Sequence, residues 1–569
     1  MSASVTIAIL LVVPLVPLLL VGALTCSALR RIALLGAPLA AAPGLVLALW
    51  PEAGAPVAIP WLLIGTQLGV DDTGRIFLLL TALLWLAAGL YAAGSTKDSP
   101  QPLRFWIFFL LCMSGNLGLT LALDMISFYV FFTMMSFAAY GLIIHDGTPF
   151  ALRAGRIYLW LVIVGEVLLF AALLLATRVA DSLLLRDVAA ILAHTDAMSL
   201  ILGLLLVALG IKMGVVPLHF WLPLAHPAAP IPASAVLSGA MIKAGLLGLL
   251  RLFPLGSATL PGWSATLISL GLLMAFFGVV MGLMQQQPKI LLAYSSISQI
   301  GFPLLAIGLG LAAPHQWPLL APAVGFYALH HGLAKGALFL GVGMAGHRNG
   351  PTRLRYVTRA GLLLPALALA GAPLTSGALA KADLKPFLAQ SPLFGESLLA
   401  ILLGLAAVGT TVLMGRLLLL LWQQETESAQ VGTKGMWGGW SLLVTALILL
   451  GFYPQLLTGS SAAVAGKWFD ALWPVITGVA IALLAWRSLR KRPWELPARD
   501  VDVLLEALLR RLTAIAARGK LPAAPGLPRH TRWQNLPLLL LLRDTEQQLR
   551  QFRVAGVMFI LLLLVLLLL

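Results

Sequence analysis

The sequence predicts an all-α, polytopic membrane protein of about 14–16 transmembrane helices. Three observations carry this. Hydrophobic residues make up 60% of the 569-residue chain and charged residues only 10%, with a mean hydropathy of +0.98; a soluble domain carries about 25% charge. Apolar runs of about 20 residues, the length that crosses a bilayer as a helix, recur along most of the chain. The sparse charges fall mainly between these runs, and a few stand alone inside them.

The runs lie near 4–24, 32–50, 74–94, 104–122, 125–144, 157–177, 198–222, 233–252, 263–285, 290–312, 321–345, 360–389, 395–421, 436–456, 469–487 and 554–569. The first lacks a basic start and a small-residue cleavage site, so it reads as a retained span. Those at 198–222 and 360–389 are interrupted. Pro217, Pro223, Pro227, Pro230 and Pro232 crowd one, and Gly371 and Pro373 loosen the other. Proline removes a backbone donor, and broken helices at membrane depth are tolerated where they line a cavity. Matching interruptions in two halves point to an inverted-repeat transporter.

Arg30 and Arg31, Lys97 and Arg104, Arg153 and Arg156, Lys289, the arginines at 348, 353, 355 and 359, and the cluster at 487–492 all fall on one side of this arrangement. That side is cytoplasmic by the positive-inside rule. Both termini are then expected on the outer side, in a bacterial inner membrane. The net charge is +16, but residues 487–553 alone hold 14 Lys/Arg against 6 Asp/Glu. Basic charge beside a membrane fits anionic lipid or acidic partners, not nucleic acid. Residues 493–553 alternate basic clusters with leucine faces, as a helix lying along the surface does; 554–569 reads as an anchor span. Cys26 and Cys112 are isolated in apolar runs, where they read as ordinary buried cysteines rather than a disulfide, and they exclude a four-cysteine cluster. No nucleotide loop or ligand set appears, so no cofactor or metal is expected in this chain.

Several ionisable residues lie inside the runs. Such a group costs about 3 kcal/mol or more unless it faces protein or water, and is a functional candidate by default. Lys212 and Lys243 flank the first interruption, with His219 and His226 between them. Glu166 stands near the middle of the sixth run; it is either protonated and structural, or paired with a cation and functional. His331 and Lys335 are four residues apart and share a helical face, while His330 points elsewhere. Lys381 follows the second interruption, with Asp383 and Lys385 towards its outer mouth. Accessory candidates are Tyr294, Ser295 and Gln299 on a hydroxyl-rich run, and Asp71, Asp72 and Asp124 at the ends of runs. For the serines, close helix packing is the plainer role; for Asp71 and Asp72, solvated loop acids.

GIKMGVVPLHFWLPLAHPAAPIPASAVLSGAMIKAG, KILLAYSSISQIG, HHGLAKGALFL and GAPLTSGALAK together resemble the signature segments of antiporter-like proton-translocating membrane subunits. That family includes the membrane-arm subunits of complex I, Mrp-type cation/proton antiporter subunits, membrane-bound hydrogenase and formate hydrogenlyase subunits, and a subunit of bicarbonate-accumulating complexes. The resemblance runs in order over roughly residues 65–420. It implies two inverted five-helix repeats, at 104–252 and 263–421, between N-terminal spans (1–103) and C-terminal spans (436–487). Residues 493–569 resemble a lateral helix and anchor that could clasp a neighbour. By the same resemblance, Lys212 matches the broken-helix lysine, Lys243 the central lysine, His330, His331 and Lys335 the relay region, and Lys381 the last ionisable position.

One position departs from the pattern. The family carries a glutamate seven residues before a tyrosine in the fifth run, and counting back from Tyr140 gives Thr133. Glu166, on the next run, is the expected substitute facing Lys212. The implied function is proton movement along Glu166, Lys212, Lys243, His331, Lys335 and Lys381, driven by partner subunits. The alternatives are a transport-inactive scaffold, a sodium/proton antiporter subunit, a subunit of an inorganic-carbon uptake complex, or an independent solute carrier.

Overall fold

The computed structural model describes residues 3–50, 52–63, 65–97, 99–345, 352–423, 432–454 and 468–489. All of these except 59–66 belong to one compact unit, treated below. Residues 59–66 belong to a second unit and hold a turn in which the N–H groups of Gly65 and Thr66 donate to the Leu62 carbonyl. The surface helix expected over 493–553 and the anchor over 554–569 lie outside the described residues.

The fold is all-α. Among the described residues, twelve helices are long and apolar enough to cross a membrane. The N-terminal group comprises α1 (Ala3–Thr25), α2 (Arg30–Gly36), α3 (Ala42–Ala48) and α4 (Asp72–Ser95). A first set follows: α5 (Pro102–Leu121), α6 (Met125–Ile143), α7 (Pro149–Ala180), the short α8 (Leu185–Leu192), then α9 (Met198–Met213) continuing after a break as α10 (Trp221–Ala228), and α11 (Ile231–Val236) continuing as α12 (Ile242–Leu252). The second set is α13 (Pro261–Leu283), α14 (Pro288–Ala312), α15 (Trp317–Ala345), the interrupted run of α16 (Thr352–Gly361), α17 (Leu363–Ala370) and α18 (Ser376–Ala382), and α19 (Glu396–Gln423). α20 (Lys434–Phe452) and α21 (Trp468–Leu489) complete the described chain. Each set thus has its interruption in the fourth membrane element. α15 spans 29 residues and carries two histidines and a lysine within it.

Local chemistry explains these boundaries. Pro102, Pro149, Pro261 and Pro288 each occupy a first helical position, where the missing N–H costs nothing. Asp71 accepts from the Gly74 N–H at 2.6 Å, and Asp124 from the Ser127 N–H at 2.8 Å. Both are helix N-caps. Three results differ from the sequence reading. The run 32–50 is not one helix: a 3-10 turn at Ala37–Leu39 separates α2 from α3, because Pro38 and Pro43 cannot donate to a continuous ladder. The first interrupted element reaches Ala228 rather than 222. Cys26, expected like Cys112 to be buried, lies in the turn just past α1 and is exposed.

The interior centres on α11–α12, α14 and α15. α14 is buried along its whole apolar window, whereas α7 turns Trp160, Val167 and Phe170 outwards. Gly239, in the α11–α12 joint, lies against Gly332 of α15: a Cβ on Gly332 would stand 2.6 Å from the Gly239 carbonyl. The two sets approach closely at this contact. Two arginines seal helix ends. Arg75 donates to the carbonyls of Leu47, Ala48, Trp50 and Ala53 around the end of α3. Arg251, buried on the last turn of α12, donates to those of Leu119, Thr120 and Ala122 at the end of α5, and pairs with Asp71 at 2.8 Å.

Candidate functional site

Helix ends supply the buried acceptors. An interrupted helix leaves its last carbonyls unpaired, and a cation near a helix C-terminus is favoured by the aligned peptide dipoles. In the first interruption, α9 ends at Gly214, whose φ of +75° suits glycine. Lys212 lies in its last turn. In the second, α17 ends at Gly371, φ +83°. Lys381 reaches back from α18 to donate to the carbonyls of Leu369 and Ala370 at 3.0 and 2.9 Å. The face of Phe302 lies 5.6 Å from its ammonium.

Glu166 is 5% exposed, although it lies on the outward-turned α7. Thr133 of α6 donates to its Oε2 at 2.6 Å. One helical turn on from Thr133, Ser136 accepts from Lys212 Nζ at 3.2 Å, and the Tyr158 hydroxyl lies 3.3 Å from the same nitrogen. Tyr158 in turn donates to the Ser136 carbonyl at 2.9 Å. Lys212 is 4% exposed and also faces the rings of Phe132 and Tyr158. Glu166 and Lys212 act on each other electrostatically, with hydroxyls between them. The threonine at the anomalous position is therefore the direct partner of the extra acid.

Lys243 stands just past a π-helical turn, Leu237–Met241. Such turns release backbone groups from the ladder, and here the freed Ser238 carbonyl accepts from Lys243 Nζ at 2.7 Å. Lys335 of α15 donates to the Leu292 carbonyl of α14 at 2.9 Å. The Ser238 and Ser296 hydroxyls, 2.7 Å apart, join the same two neighbourhoods. His331 is fully buried, and neither ring nitrogen has a hydrogen-bond partner among the described residues. Lys243, Lys335 and His330 all act on it electrostatically. His330 turns the other way, as its position on the helix implied, and its Nδ1 lies 2.9 Å from the Ser376 hydroxyl at the start of α18. It is thus the link from α15 to the segment carrying Lys381.

The accessory candidates divide. Gln299 accepts from the Tyr327 hydroxyl at 2.8 Å and donates to Thr410 at 3.0 Å, beside His330. His219 and Tyr294 lie together, ring centroids 6.4 Å apart, near the first break. His226 is fully buried and stacks on Phe339 at 4.7 Å. Ser295 is buried without a hydrogen-bond partner among the described residues. Asp71 and Asp124 are engaged in helix caps, Asp124 also accepting from Gln67 N–H and the Ser127 hydroxyl; Asp72 opens α4. Lys385 pairs with Asp470 at 3.0 Å near the surface. Sequence reasoning missed Ser136, Tyr158, Tyr327 and Ser376. Tyr327 and Ser136 each sit three residues from a flagged position, His330 and Thr133, and that spacing was the available signal.

The architecture is that of a membrane protein built from two interrupted helical sets with buried ionisable side chains in both. The family described as NADH:quinone oxidoreductase/Mrp antiporter, transmembrane region, matches residues 122–384. Hydrogenase-4 component B of Escherichia coli K12 is 31% identical over 296 residues, covering 50% of this chain and 44% of that protein. The putative antiporter subunit mnhA2 of Staphylococcus saprophyticus is 33% identical over 355 residues, covering 57% and 44%. The chain spans under half the length of both. A chain of the Mrp complex from Dietzia sp. DQ12-45-1b shares the fold at a TM-score of 0.75 and 22% identity, over 95% of this chain and 63% of that one. Residues 122–384 are thus similar to the membrane region of the NADH:quinone oxidoreductase/Mrp antiporter family, and the chain shares its fold with a solved Mrp-complex chain.

Proposed function

We propose that this subunit translocates protons along Glu166, Lys212, Lys243, His331, Lys335 and Lys381, with Thr133, Ser136, His330 and Ser376 as hydroxyl and imidazole links. One observation supports the reading: Glu166, Lys212, Lys243, His331 and Lys335, which are expensive in hydrocarbon, are buried in the interior, and Lys381 is half-buried at the second interruption. Each lysine donates to a carbonyl or hydroxyl, and Glu166, which acts on Lys212 electrostatically, is the one acid in the set. Sodium prefers oxygen ligands, and a row this rich in cations favours protons.

The chain supplies the path, and partner subunits supply the drive. The two named curated relatives are a hydrogenase component and a putative antiporter subunit, and the solved neighbour is from a multisubunit complex; residues 493–569 are the segment that would clasp a membrane neighbour and contact lipid. The basic loops support an orientation with the Lys289 side in the cytoplasm of a bacterial inner membrane and both termini outside. In proteoliposomes carrying the whole complex, Lys212→Ala or Lys243→Ala should abolish coupled proton transport with assembly intact; normal coupling in both refutes the path. Neutral Glu166 variants with no phenotype would favour a scaffold. What co-purifies identifies the drive: iron–sulfur partners mean redox, and a carbonic-anhydrase-like zinc protein means inorganic-carbon uptake.

A further inference from the structure

Thr410 of α19 is buried and donates its hydroxyl proton to the Ala406 carbonyl at 2.9 Å. Its oxygen is left to accept, and the side-chain amide of Gln299 on α14 donates to it at 3.0 Å. That turns the Gln299 side-chain oxygen towards Tyr327 of α15, whose hydroxyl donates to it at 2.8 Å. The backbone carbonyl at the end sets the direction of the whole chain, because a carbonyl can only accept. The Tyr327 proton is therefore committed to Gln299, and Tyr327 acts through its ring rather than as a proton carrier. Gln299 and Tyr327 are fully buried, so the bonds that fix the ring are shielded from competing water.

Phe302 and His330 lie against that ring. Phe302, one helical turn after Gln299 on α14, stacks on it with centroids 5.5 Å apart and planes 18° from parallel. His330, one turn after Tyr327 on α15, meets it at 6.1 Å, nearly perpendicular. Both lead to the segment that carries Lys381. The Lys381 ammonium lies 5.6 Å from the Phe302 ring centroid, and His330 Nδ1 lies 2.9 Å from the Ser376 hydroxyl at the start of α18. From Thr410 to Lys381 the contacts run without a gap: two hydrogen bonds, a ring stack and a cation–ring contact. A ring face attracts an ammonium but not a neutral amine, and does so most strongly where water is excluded. The carbonyl end of α17, which Lys381 also meets, has the same preference for the charged form.

We propose that Gln299, Tyr327 and Phe302 form an aromatic platform, anchored on Thr410, that holds Lys381 against the end of α17 while it is protonated and releases it when it is neutral. All three are positioning residues, and none carries a proton. The inference rests on the proton-path reading above and adds to it the device that sets where Lys381 stands in each charge state.

The test uses the assembled complex in proteoliposomes. Phenylalanines with one, two and three ring fluorines at position 302 keep nearly the native shape while weakening the negative ring face. Proton transport should fall step by step along this series, by about tenfold at its end, whereas a ring that only fills space gives one rate throughout. Phe302→Tyr should retain transport, and Phe302→Leu should lose as much as the trifluorinated ring. Gln299→Met and Tyr327→Phe keep volume but break the anchor. Each should slow transport by about threefold, and the double variant should be no slower than the slower single one, because the two act as one unit. A flat fluorine series with Lys381→Ala inactive overturns the platform and leaves the path standing. A flat series with Lys381→Ala active overturns the last step of the path and the platform with it. A falling series with native rates in Gln299→Met and Tyr327→Phe, or with losses that add in the double variant, overturns the anchoring through Tyr327 and so the platform as proposed.

Discussion

The most informative perturbation exchanges the acid between two helices. Thr133 Oγ1 and Glu166 Oε2 are 2.6 Å apart, and Thr133 lies three residues from Ser136, which accepts from Lys212. A glutamate at 133 therefore points its carboxylate into the pocket now filled by that of Glu166. Removing the acid alone, as in Glu166→Thr, leaves the buried Lys212 ammonium without a counter-charge. Breaking a buried pair costs about 3–5 kcal/mol. The hydroxyls between Glu166 and Lys212 argue for the lower end, and about 3 kcal/mol carried into the barrier slows a rate by about 100-fold. The double variant Thr133→Glu/Glu166→Thr restores the acid to the same space and should recover transport to within about tenfold of the native rate. The assay is proton uptake by proteoliposomes containing the complex, with subunit content checked by gel. Equal loss in single and double variants refutes the idea that the acid serves Lys212 from either helix. Full activity in Glu166→Thr refutes a role for the acid altogether.

Other outcomes follow from the same structure. His330→Gln, which can still bond Ser376 but cannot titrate, should slow transport while leaving thermal stability in detergent near native; His330→Phe should lower both. Gly371→Ala forces a left-handed backbone onto a residue with a Cβ, at about 1–2 kcal/mol, and sets that Cβ 3.0 Å from Lys381 Nζ; reduced Tm together with impaired transport is expected. Arg251→Met strands Asp71 and three helix-end carbonyls, and should destabilise by about 2–4 kcal/mol, read as a Tm drop in detergent. Asp71→Asn should cost much less, because that carboxylate is half exposed. His145, at the membrane face beyond α6, is held below its usual value by burial first, with Arg104 adding and Asp146 opposing. The fold therefore favours its neutral form, so its stabilising contribution is complete above about pH 6.5 and is lost as pH falls below that. His145→Gln should flatten the Tm-versus-pH curve on the acid side.

Much of this was legible in the residue order. Hydrocarbon length and charge scarcity specify the spans, proline and glycine mark both interruptions, and charges stranded in apolar runs single out Glu166, Lys212, Lys243, His331, Lys335 and Lys381. These are properties of a chain meeting a bilayer, and each can be read one helix at a time. The missing acid at Thr133 and the extra one at Glu166 could also be noticed there, as two separate facts.

What each buried group touches depended on the tertiary structure. Helical periodicity says which residues share a face of one helix, but not which neighbour that face meets. Only packing brings Thr133 against Glu166, turns His330 to Ser376 while His331 faces the lysines, and lets Arg251 close the end of α5. The partners are often backbone carbonyls, freed by a π turn at Ser238 or by the helix ends at Ala229 and Ala370, and a carbonyl has no letter in the sequence. The sequence by itself determined which charges enter the membrane; the packing of α6, α7, α9, α12, α14, α15 and α18 decided what holds them, because desolvated charges are satisfied by whatever donors and acceptors the neighbouring helices bring within reach.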